Sequence, residues 1–152
     1  MNAGSAIWAA IAASIVMGLV LQGARATGLT QLHMMRFLGS MGTVEQRGLP
    51  LLLGWTVHIL ADILFGFGYA AVFQLVDSAT LVGWGMLLGL GHAAVILGPG
   101  FPLLGLVNSR VRSGEIKGPG FLGRNCGWGT VPALLFAGVC FGAVMGALYS
   151  KV

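Results

Sequence analysis

An all-α fold is what this sequence predicts: a bundle of four membrane-spanning helices, with a cytoplasmic interfacial amphipathic helix between the first and second spans. Three observations lead there. The chain is 57% hydrophobic and only 8% charged, against about 25% charged in a typical soluble protein. Its mean hydropathy is +0.90, and four apolar runs approach the ~20 residues a helix needs to cross the hydrocarbon core. The charged side chains gather in two connections between those runs.

The first apolar run, 3–23, is uncharged. A cleaved signal peptide is the competing reading, since Ala24-Arg25-Ala26 has the form of a small-residue cleavage site. No Lys or Arg precedes Trp8, however, and the run exceeds the roughly 7–15 residues of a signal core, so a retained helix is expected. Residues 29–40 follow Thr27-Gly28. There Leu29, Leu32, Met35 and Leu38 form a stripe with His33 and Arg36 off it, the pattern of a helix lying in the interface.

The second run, 49–76, holds a single Asp; the third covers 81–107 and the fourth 129–150. Gly98-Pro99-Gly100 and Pro102 are expected to break the last turns of the third span. Segment 108–128 is glycine-rich around Pro119 and reads as a loop with turns. It has neither the preceding strand nor the Walker lysine that a phosphate cradle needs. Both halves run as span, basic loop, span, although only Phe37-Leu38-Gly39 and Phe121-Leu122-Gly123 echo one another. The chain reads as one integral membrane domain over 1–152.

If the spans alternate, one face receives Arg25, Arg36, Arg47, Arg110, Arg112, Lys117 and Arg124, and the other only Lys151. The positive-inside rule then puts both long loops in the cytoplasm and both termini outside a bacterial inner membrane. Trp8, Trp55, Trp84 and Trp128 stand near the starts of the four spans, where an indole suits the headgroup level. The net charge of +4 belongs to these loops rather than to a basic face in water, so no nucleic-acid partner is expected. Cys126 and Cys140 form neither a CxxC pair nor a disulfide framework, and the methionines are too scattered for copper handling.

Asp62 is the one carboxylate inside a predicted span. Placing Asp at a helix centre is disfavoured by roughly 2.5–3.5 kcal/mol, so a partner is expected. Asp62 lies fifteen residues before Asp77 and His92 fifteen after it, near the turn between two antiparallel helices. At ~1.5 Å per residue both reach the bilayer middle at a shared depth, so the two are expected to pair. His58, four residues before Asp62, projects from the same helix face. The three side chains either satisfy one another and pin two helices, or serve as a proton relay, or offer an imidazole to a pigment. His58 and His92 differ in depth by about a turn, which disfavours a bis-histidine haem. Nothing like HExxH or CxxC points to a metal.

Small residues mark the packing faces. Gly138, Gly142 and Gly146 form a ridge on the fourth span, and Ala10, Ser14 and Gly18 form one on the first. These are expected to meet each other or another subunit.

Gly54-Trp55-x-x-His58-x-x-x-Asp62, the run His33 to Gly39, and Gly91-His92 followed by Gly98-Pro99-Gly100-Phe101-Pro102 together resemble small bacterial four-helix integral membrane proteins of uncharacterised function. The resemblance spans most of the chain. It implies the architecture and a bacterial source, and it carries no catalytic residue. The functional expectation is therefore a non-catalytic accessory subunit of a larger bioenergetic membrane complex, in contact with lipid and other membrane subunits, with no cofactor. Two alternatives stand beside it. One is a small transporter or proton-relay component using Asp62 and His92; the other is a haem- or chlorophyll-binding subunit with His58 or His92 as ligand.

Overall fold

The computed structural model describes residues 2–42 and 48–149. The side-chain oxygen of Asn2 accepts from the Ser5 amide at 3.0 Å and so caps α1 (Ala3–Ala26). The chain continues through α2 (Met34–Gly39), α3 (Gly48–Phe73), α4 (Leu81–Val95), α5 (Phe101–Val107), α6 (Ser109–Arg112) and α7 (Thr130–Leu148). Four helical segments are long and apolar enough to cross a membrane: α1, α3, the run Ser78–Val107 and α7. This is consistent with a multi-pass membrane protein. Arg47 and Lys151, two of the residues used for orientation, lie outside the described residues.

The spans are arranged in the order α3, α1, α7, α4: α7 packs chiefly on α4 and α1, while α3 packs on α1 and α2. Consecutive α3 and α4 meet much less closely than their short connection suggests. The centre is the α1–α7 contact, where Ala10, Ala13, Met17, Ala137, Phe141 and Met145 are fully buried. Lipid supplies no hydrophobic drive between helices, so close van der Waals fit decides which faces meet.

That fit explains the ridges. A Cβ on Gly138 or Gly142 would overlap the carbonyl oxygen of Gly89 or Gly85 on α4, and one on Gly146 would overlap that of Leu81. The α7 ridge therefore locks into Gly85 and Gly89 on α4. The α1 ridge turns instead to α3: Ala10 lies against Gly66, Ser14 is buried, and Gly18 receives the ring of Trp55. The two ridges do not meet each other, and both are covered within the chain, leaving neither free for another subunit.

Both long connections lie at one end of the bundle, the loop face. Thr30 and Thr130 share a hydrogen bond of 2.7 Å, and both hydroxyls reach the Cys126 carbonyl, at 3.3 and 3.0 Å. The Gln31 amide donates to that same carbonyl at 2.8 Å. Buried Asn108 donates to the Ser40 hydroxyl at 2.9 Å and accepts from the Arg110 amide at 3.0 Å. At the opposite end Gln74 donates to the Tyr149 hydroxyl at 2.7 Å, joining the ends of α3 and α7.

Three further expectations are corrected. The interfacial helix over 29–40 is only the six-residue α2, and Met34, Met35, Phe37, Leu38 and Gly39 are all buried. Its apolar residues face protein: Gly39 and Gly54 allow the α2 and α3 backbones to touch at Pro50 and Met35. The third span is not broken at its prolines. Pro99 has no N–H to donate, and the helix answers by widening into a π segment, Ile96–Gly100, in which the Phe101 amide donates to Ile96. Finally, Trp8, Trp84 and Trp128 are exposed, but Trp55 turns inward against Gly18.

Candidate functional site

The α3 residues His58 and Asp62 face inward because the same four-residue spacing that buries Gly54 and Gly66 also carries them. His92 faces them from α4 in the row of Gly85 and Gly89. The close glycine contact with α7 thus fixes the rotation of α4 that aims His92 inward.

Asp62 sits between the imidazoles. Its Oδ2 lies 3.4 Å from Nε2 of His58, and its Oδ1 lies 3.7 Å from Nε2 of His92. All three residues are buried, at 2%, 5% and 3% exposure for Asp62, His58 and His92. Both separations exceed the ~2.7–3.2 Å of a formed N–H···O bond. Accordingly Asp62 Oδ2, His58 Nε2 and both ring nitrogens of His92 have no hydrogen-bond partner. Ser14 of α1 closes the cluster on a third side: its carbonyl faces His58, and its hydroxyl faces Asp62 without closing a bond.

Aromatic side chains enclose His92. Phe65 stacks on it at 3.8 Å between centroids, and Phe141 meets it edge-on at 5.1 Å. Tyr69 lies edge-on at 6.3 Å, with its buried hydroxyl unpartnered. Trp55 stands edge-on to His58 at 5.9 Å. Fully buried Phe73, Phe141 and Met145 pack the core of the bundle. The looser α3–α4 contact leaves a groove of about 490 Å³ between those helices, with Tyr69 and His92 on its wall and Gly68 and Gly91 at its sides.

This arrangement brings together all three residues singled out for the intramembrane cluster. Both Nε2 atoms face one carboxylate. No group of three or more His, Cys, Asp or Glu among the described residues is arranged to hold a metal ion. Sequence reasoning missed Gly85, Gly89 and Tyr69. The first two carried a readable signal, being spaced four apart in register with His92, and Tyr69 carried one in its position seven residues after Asp62 on the same helix face. Fold and site together define an all-helical protein with four helices long and apolar enough to span a membrane and a buried acid–imidazole cluster. No family model matches the chain, and no curated protein and no solved structure matches it.

Proposed function

We propose that this is a non-enzymatic proton-relay component of the bacterial inner membrane. Its long loops lie in the cytoplasm and its termini outside, a reading supported by the Arg and Lys content of those loops. The observation that carries the relay is one carboxylate between two imidazoles, at 3.4 and 3.7 Å, deep in the bundle. Ionisable side chains are costly inside a bilayer, and Asp–His chains are a recurrent device of proton pathways.

The chemistry is a sequence of single proton transfers with no electron movement. Asp62 carrying its proton on Oδ1 gives it to Nε2 of neutral His92 as Oδ2 accepts the Nε2 proton of protonated His58, and a half-turn of the carboxyl group then brings that proton to the His92 side. Small side-chain rotations close each gap, since no hydrogen bond must first be broken at Asp62 Oδ2 or at either Nε2. The groove beside His92 opens at the side of the bundle between Leu64, Phe65, Leu88 and Val95, with Tyr69 as the other polar side chain on its wall. An accessory role in a larger complex would need a surface other than the two ridges, which are already covered.

The test is proton flux into liposomes carrying the purified protein and an internal pH dye, under an imposed pH gradient. The wild-type protein is expected to exceed empty liposomes, and Asp62→Asn to fall to the empty-liposome rate. Equal rates for wild type and Asp62→Asn would overturn the relay. A cysteine placed at exposed Ser113 should react with an impermeant thiol reagent only from the cytoplasmic side.

A further inference from the structure

A second cavity lies at the loop face, away from the intramembrane cluster. It encloses about 420 Å³, and its walls carry Arg36, Arg110, Lys117 and His33 above the apolar side chains of Leu32 and Phe37. No carboxylate among the described residues lines it. Glu115 pairs with Arg110 from outside, leaving the Arg110 Nε buried and without a hydrogen-bond partner. Glu45 lies outside the described residues.

We propose that this cavity binds the phosphate of an anionic phospholipid headgroup. Depth is the first reason. Arg110 follows the end of the third span at Val107 by three residues, Pro50 is the third residue of α3, and Cys126 precedes α7 by four. Three span ends therefore meet around the cavity at the headgroup level. Charge is the second. Arg36 and Lys117 converge there with Glu115-paired Arg110, no carboxylate among the described residues lines the cavity, and basic pockets between transmembrane helices suit anionic headgroups. Burial, then Arg25 and Arg36, hold the His33 imidazole below its ordinary range.

The mix of walls is the third reason. A free phosphate has no use for half-buried Ile116 on the wall, whereas a phospholipid brings glycerol and acyl carbons to the same place. The guanidinium of Arg110 is already oriented by Glu115 and can present its remaining donors to phosphate oxygens.

The experiment is a lipid titration of the detergent-purified protein, with bound lipid counted by native mass spectrometry. Phosphatidylglycerol is expected to bind more tightly than phosphatidylcholine. Each cation near the surface is worth about a fivefold change, so Arg36→Gln with Lys117→Gln should weaken phosphatidylglycerol binding about 25-fold. Both side chains are exposed, which spares the packed core. The control double variant Arg112→Gln with Arg124→Gln removes the same charge from outside the cavity and should change binding little. Equal affinity for the two lipids would overturn the proposal, as would equal loss in both double variants, which would mean diffuse surface attraction. Inorganic phosphate displacing the lipid at comparable concentration would overturn the lipid as the source.

Discussion

Gly85 on α4 and Gly142 on α7 stand so close that a Cβ on either would overlap the carbonyl oxygen of the other. The contact is backbone against backbone. It sets the spacing of the two most closely packed helices and, through α4, the direction in which His92 points.

Gly142→Ala should therefore destabilise the fold by about 1–3 kcal/mol, the usual cost of overpacking. Gly142→Leu should prevent the bundle from assembling. Gly83, two residues before Gly85 on the exposed side of α4, has open space around it. Gly83→Ala should be neutral or stabilising by up to about 1 kcal/mol, because alanine favours the helix. Unfolding by denaturant in detergent, measured by circular dichroism, separates the two; equal effects would refute the close-contact account.

Asp62→Asn is expected to leave the fold intact while removing proton flux. Polar contacts between membrane helices average about 0.6 kcal/mol, and here the hydrogen bonds are not closed, so the melting transition should move little. A large loss of stability in Asp62→Asn would instead assign the cluster to helix pinning.

The loop-face knot should be more sensitive than its size suggests. Thr30 and Thr130 are both buried, so Thr130→Val leaves the Thr30 hydroxyl without its shortest partner. The expected cost is about 1–3 kcal/mol, with faster amide exchange at Gln31 and Leu32. Because the two residues share one network, Thr30→Val and Thr130→Val should be non-additive in a double-mutant cycle.

His33 predicts a pH dependence. Burial, with Arg25 and Arg36 adding to it, lowers its pKa from 6.5 in the folded protein. As pH falls through 6.5 the unfolded chain binds a proton that the folded chain does not, so stability drops with acidification until the lowered folded value is passed. His33→Gln should flatten this part of the pH profile, measured by thermal melting between pH 7.5 and 5 in detergent without anionic lipid. Phosphatidylglycerol in the cavity should lessen the dependence, since its negative charge offsets the two arginines.

Much of the bundle was legible in residue order. Apolar run length located all four spans, because the bilayer imposes that length on any helix crossing it. The equal spacing of Asp62 and His92 about Asp77 placed them at one depth, because helical rise per residue is constant. Apolar density at 29–40 was legible too, but its meaning was not: Leu32, Met35 and Phe37 bury against protein as they would against lipid, and hydropathy does not distinguish those two environments. Pro99 announced a disturbance without revealing that a wider helical turn would absorb it.

The sequence alone determined that four helices are long and apolar enough to cross a bilayer, and that Asp62 and His92 stand at one level along their helices. Only the tertiary structure decided which helices are neighbours, that Gly142 meets Gly85 rather than α1 or another subunit, and that Trp55 turns inward. The physical reason is that transfer into lipid is summed residue by residue along the chain. Helix pairing instead depends on the shapes of two surfaces brought together, which no single segment contains.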